Sequence, residues 1–171
     1  MITRRSFLTT TVIGASLALL PAGLSVALAQ GAPIGSVSVV FSPTVREGWG
    51  DNVVVVRSEL ERTLADILGP GFQRGAGNRL VVSVNSLWLA SSAGGNGGGG
   101  GRRHGDGGGS DSDYLESTVT LYDRAGRAIQ SWPIRSTENA NSVLWTLPDA
   151  SERRLAALAR NNAWWIKHYL G

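Results

Sequence analysis

The stretch YLESTVTLYDRAGRAIQSWPIR, residues 114–135, decides the fold. Leu115, Val119 and Leu121 alternate with Tyr114, Glu116, Thr118 and Thr120, the period-two pattern of a strand with one buried face. After Asp123-Arg124-Ala125-Gly126 the apolar positions resume at Ile129, Trp132 and Ile134. Aspartate at the first turn position and glycine at the last suit a type I turn with a bulge. The stretch therefore predicts a β-hairpin.

Upstream, Arg79 to Ala90 reads as a third strand. Leu80, Val82, Val84 and Trp88 fall on one face, with Val81, Leu87 and Leu89 on the other. Apolar residues on both faces predict a central strand covered on both sides, with Trp88 in the core. Earlier still, after a loose start over Gln30 to Ile34, Val37, Val39 and Phe41 alternate with Ser36, Ser38 and Val40. That strand is expected to end at Ser42-Pro43. Three consecutive strands joined without helices point to an α+β fold, one mainly antiparallel sheet of four to five strands with two helices on one face.

The first helix is expected after Asp51-Asn52, because Val53, Val56, Leu60, Leu64 and Ile67 recur at spacings of three and four. The β-branched run at Val53–Val56 leaves a second possibility, a later start with Ser58 and Glu61 as a capping box. Gly69-Pro70-Gly71 ends the helix in either case. The second helix opens at Pro148-Asp149, with Asp149 and Glu152 in capping-box register. Its apolar stripe is Leu155, Ala159, Ala163, Ile166 and Leu170, with Arg153, Arg154, Arg160 and Lys167 facing away. Between hairpin and helix, after a polar stretch from Ser136 to Ser142, Val143-Leu144-Trp145 is a candidate fifth strand.

Residues 91–113 interrupt this pattern. Eleven of the 23 glycines lie between Gly94 and Gly109, with Arg102, Arg103, His104, Asp106, Asp111 and Asp113 embedded around them. So glycine-rich a segment cannot recover its ordering entropy through packing, and it reads as a long, flexible hairpin loop. No phosphate-binding G-x-x-x-x-G-K-[ST] is present, since the only lysine is Lys167. Asp106, Asp111, Asp113 and His104 remain possible ligands of a weak divalent-ion site, against the simpler expectation of a solvated linker.

The N-terminus carries an address. A basic start, an apolar run from Val12 to Leu20 and a small-residue site at Ala27-Leu28-Ala29 have the layout of a cleaved secretory signal. Thr3-Arg4-Arg5-Ser6-Phe7-Leu8 resembles the bacterial twin-arginine export signal, carried by Arg4, Arg5, Phe7 and Leu8, although Thr9 stands where that family usually has lysine. Pro21 and Gly23 interrupt the run, which is shorter than the roughly 18–20 residues of a membrane span. Cleavage after Ala29 is expected, leaving residues 30–171 as one domain with no stable membrane span. That shortens the chain from 171 to 142 residues and lowers its formal charge from +3 to +1. No basic stripe remains to suggest nucleic acid. The absence of cysteine excludes disulfides, thiolate metal sites and a lipidated N-terminal cysteine.

Nothing in the sequence assembles a catalytic constellation or calls for a metal or cofactor. His104 and His168 are the only histidines, and neither H-E-x-x-H nor G-x-S-x-G occurs. Glu59 and Glu61 read as a solvated helix surface. The six tryptophans are the unusual feature. Trp49 and Trp145 fall in expected loops, and Trp164-Trp165 are adjacent on a helix, so one of the pair must leave the core stripe. Trp49, Trp145 and Trp164 are therefore the candidate binding patch for an envelope protein, a lipid or a glycan, weighed against the alternative that tryptophan simply fills gaps between helices and sheet.

From Val37 to Leu170 the element order resembles small bacterial envelope accessory proteins of the LptE type, by architecture alone. That resemblance implies a periplasmic or secreted, non-enzymatic binding or accessory protein. Those families are usually tethered through a lipidated cysteine, which this chain lacks. The competing reading is a periplasmic metal- or cofactor-binding protein or enzyme, because the twin-arginine route carries folded substrates.

Overall fold

The computed structural model describes residues 32–90, 112–144 and 146–171. The elements run β1 (Ile34–Phe41), α1 (Pro43–Trp49), α2 (Val53–Leu68), β2 (Asn78–Trp88), β3 (Ser112–Tyr122), β4 (Ala128–Asn139) and α3 (Ala150–Leu170), with short 3-10 turns at Gly50–Asn52, Gly69–Gly71 and Ala140–Ser142. The four strands form one sheet in the order β1-β2-β3-β4. β1 pairs parallel to β2, and the other two pairings are antiparallel. The expected α+β fold with a mostly antiparallel sheet is what the chain adopts. Val143 and Leu144 lie outside any strand, so the candidate fifth strand does not form in the described residues.

The hairpin forms as its sequence dictates. Asp123 N–H donates to Arg127 O at 2.9 Å, Gly126 N–H donates to Asp123 O at 3.0 Å, and Gly126 takes φ +81°, a conformation that favours glycine. β4 runs on through the polar stretch to Asn139, because Ser136 lies on the buried face beside Leu115 O. Pro133 is tolerated within it because β4 is an edge strand.

One face of the sheet is covered. Val39 and Phe41, Leu80, Val82 and Val84, Leu115, Val119 and Leu121, and Ile134 join Val56, Leu60, Leu64, Leu155, Leu158 and Ile166 in a single core. A fully buried leucine or isoleucine stabilises such a core by about 1.5–3 kcal/mol. No described element covers the opposite face, so among the described residues β2 is not covered on both sides as expected. A bulge redirects the end of β2: the β2–β3 register shifts between Val84 and Ser86, leaving Asn85 as the extra residue. Beyond it Leu87 turns inward and Trp88 outward, 52% exposed rather than in the core.

Helix α1 was not expected. Ser42 caps it, its hydroxyl accepting from Val45 N–H at 3.3 Å, and Pro43 occupies the first turn. Proline there has no N–H to leave unsatisfied. α2 begins at Val53, so the later start at Ser58 does not occur, but Asn52 makes no side-chain cap; the chain arrives already turning through Gly50–Asn52. Asp149 likewise makes no cap bond and instead accepts from Arg153 Nε at 2.8 Å.

α2 and α3 pack together, and Glu59 links them. The half-buried Glu59 carboxylate accepts from Arg62 at 2.6 Å on its own helix and from Arg160 at 3.1 Å on α3. It is therefore not the freely solvated group its sequence context suggests. Burial alone pushes the Glu59 carboxyl up, but hydrogen bonds and charge from the two arginines outweigh it and hold the group below its ordinary 4.5. A carboxyl lowered in the folded state stabilises above its unfolded pKa, and that stabilisation is lost as pH falls through the folded value. Urea unfolding from about pH 5 down to about pH 3 should show a shallower loss of stability for Glu59→Gln than for the parent. The difference should be about 1 kcal/mol or less, because the arginines are solvated. Parallel acid limbs would remove this role.

Candidate functional site

Two features stand apart from ordinary packing. The first is a buried clamp. Asp113, expected in the loop, belongs to β3 and is fully buried, and Arg154, expected to face solvent, is buried beneath it. Asp113 accepts from Ala90 N–H at 2.9 Å and from Arg154 Nε at 2.7 Å, and it also pairs with Arg154 Nη2. Arg154 Nη2 in turn donates to Ala90 O at 2.8 Å. Ala90 and Asp113 flank the segment 91–111, so one guanidinium ties its two ends together. Asp113 is thereby committed to Arg154 and withdrawn from the proposed divalent-ion set. His104, Asp106 and Asp111 lie outside the described residues. Among the described residues no group of three or more His, Cys, Asp or Glu side chains could hold a metal ion.

Below the clamp a polar relay crosses the core. Ser117 Oγ donates to Asn162 Oδ1 at 3.1 Å, and Asn162 Nδ2 donates to Ser136 Oγ at 3.1 Å. Asn162 and Ser136 are fully buried, and Ser117 nearly so, all with partners satisfied. The relay ties β3, β4 and α3, and it offers no free nucleophile. His168 packs edge-on against Trp165 and Tyr169, at ring-centroid distances of 5.9 and 5.8 Å. Its company is aromatic rather than that of a hydrolytic triad.

The second feature is aromatic surface. Trp164 is 60% exposed, Trp165 45% and Tyr169 46%, all on the C-terminal half of α3. Tyr169 continues to Trp132 on β4, 6.3 Å between ring centroids. Of the two expected patch residues that are described, Trp164 is exposed on α3 and Trp49 is not. Trp49 ends α1 rather than lying in a loop; its Nε1 donates to Leu87 O at 3.1 Å, and it packs against the core. Trp145 lies outside the described residues, as do Arg4, Arg5, Phe7, Leu8, Ala27 and Ala29. Trp165 and Tyr169 were missed, although their spacing of four puts them on one helical face. On the sheet face away from the helices Trp88 stacks on Tyr114 at 6.5 Å and 17°, with the Arg135 guanidinium 4.9 Å from the Tyr114 ring. Sequence reasoning missed this group because the bulge at Asn85 decides which way Trp88 points.

These features define a class: a small α+β domain whose four-stranded mixed sheet is, among the described residues, covered by helices on one side only. Among solved structures the fold is shared with the PelC dodecamer from Paraburkholderia phytofirmans, at 18% identity, covering 84% of this chain and 90% of that one, with a TM-score of 0.50. Lower scores relate it to an uncharacterized protein, at 12% identity over 81% of this chain and 94% of that one, TM-score 0.49. A candidate lipoprotein from Caulobacter crescentus CB15 follows, at 16% identity over 86% and 93%, TM-score 0.40. Of these three, the PelC structure alone is close enough to define the shared fold. No protein-family description and no curated protein matches the chain.

Proposed function

We propose that this chain is an exported accessory protein of the bacterial envelope that acts by binding rather than by catalysis. The observation that carries the reading is the exposed run Trp164, Trp165 and Tyr169 on α3. Trp165 and Tyr169 on one face of the helix, with Trp164 about 100° round from Trp165, expose apolar area that an envelope protein, a lipid or a glycan could cover. The twin-arginine-like leader, with Arg4 and Arg5, supplies the export step in this reading, and cleavage after Ala29 releases the domain to the periplasm. No helix among the described residues is long and apolar enough to cross a membrane.

A second reading is assembly with copies of itself, favoured by the fold shared with a protein that forms a dodecamer. Native mass spectrometry of protein drawn from the periplasm of a producing bacterium separates the two. The chain should begin at Gln30 and carry either a bound partner or further copies of itself. Replacing Trp164 and Trp165 together by serine should release the bound species while leaving the helical circular dichroism intact. A bare monomer in parent and variant alike would sink the binding role, and a chain retaining Arg4 and Arg5 would sink the cleaved export signal.

A further inference from the structure

At the end of the sheet away from the clamp lies a cleft of about 580 Å³. Its walls come from the starts of β1 and β2 and from the β3–β4 turn, and they include Gly75, Gly77, Arg79, Asp123, Arg124 and Gly126. The glycines leave the floor open down to backbone. Two arginines, Arg79 and Arg124, are among the lining residues. Arg79 lies over the Tyr122 ring, 4.6 Å from its centroid. That contact steadies the guanidinium while leaving its edge donors free for a ligand. Arg124 is exposed at the hairpin tip. Among the described residues neither arginine makes an ion pair.

One carboxylate, Asp123, also lines the cleft, and it is already engaged. It accepts from Arg127 N–H and from Arg127 Nε, both at 2.9 Å. The balance of uncommitted charge in the cleft is therefore positive. Guanidinium forks match oxyanions with two or three acceptor oxygens better than they match neutral groups.

We propose that this cleft binds a phosphoryl group, held between Arg79 and Arg124. The group arrives either on a soluble phosphorylated molecule or on a lipid headgroup. The site is separate from the aromatic surface of α3 and does not depend on it.

Pyrophosphate is the soluble probe, titrated into the full chain and followed by the amide resonances of Gly75, Gly77 and Gly126. These should shift with pyrophosphate and not with chloride at matched ionic strength. Arg79→Gln and Arg124→Gln should each weaken binding by about tenfold or more, as expected for a charge-assisted contact. Arg153→Gln, which removes a cation outside the cleft, should leave it unchanged. The lipid probe is a phosphatidylcholine vesicle with or without phosphatidic acid, read by flotation. Pyrophosphate binding that both cleft variants weaken supports the site with a soluble ligand. Flotation on phosphatidic acid alone, lost in both cleft variants, supports it with a headgroup. Binding of neither probe overturns the proposal, as does binding of either that is indifferent to Arg79 and Arg124.

Discussion

Arg154→Met should destabilise the protein by about 3–5 kcal/mol, as expected when one partner of a buried ion pair is removed. Methionine keeps much of the apolar stem and leaves Asp113 with its Ala90 N–H bond but no counter-charge, in a site that water does not reach. Ala90 O loses its donor in the same stroke. A single domain is typically stable by only about 5–15 kcal/mol, so the variant would stand near the edge of folding at room temperature. Urea unfolding, followed by circular dichroism, measures the loss. The control is the double variant Asp113→Leu with Arg154→Leu. Replacing both charges by apolar groups should recover most of the deficit, because the paired ions carry a large desolvation penalty of their own. A single variant within about 1 kcal/mol of the parent would show that the pair is not sealed from solvent.

Gly77→Ala should be nearly as damaging, by about 3 kcal/mol or more, through backbone strain and steric conflict together. Gly77 holds φ +99°, and a Cβ built on it would stand 1.8 Å from Pro33 O. That oxygen also accepts the Asn78 N–H at 2.7 Å, where β1 and β2 first come together. Making room for the methyl group must therefore displace the entry to the parallel pair. Gly75→Ala is the informative comparison. Gly75 holds φ +79°, and a methyl group added there would meet nothing within 4 Å. It should lose only the left-handed penalty, about 1–2 kcal/mol. Thermal unfolding of the two variants side by side tests the difference; equal losses would mean that the contact with Pro33 relaxes freely.

The hairpin and both long helices were legible because each rests on a local pattern with its own punctuation. The apolar alternation around Asp123–Gly126 and the spacing from Val53 to Ile67 need no knowledge of distant residues. α1 left a readable mark in Ser42-Pro43, a cap followed by an N-terminal proline, which an isolated strand ending conceals. The direction of Trp88 was not legible. An extra residue at Asn85 inverts every side chain after it, and only the register against β3 reveals the insertion. The clamp was hidden for a related reason. Asp113 and Arg154 are 41 residues apart, and each resembles an ordinary surface charge until tertiary packing buries both. The aromatic site was half legible: adjacency made one of Trp164 and Trp165 leave the core stripe, whereas both do.

The clamp also makes this fold an insertion port. Arg154 and Asp113 bind Ala90 through bonds that involve none of the intervening residues. By loop-closure scaling in general, doubling the number of residues between two fixed points adds only about 0.6 kcal/mol. Lineages carrying this arginine–aspartate pair would be free to lengthen, shorten or rewrite the intervening sequence while the sheet stays as it is. The same position offers an engineer a place to graft a foreign peptide.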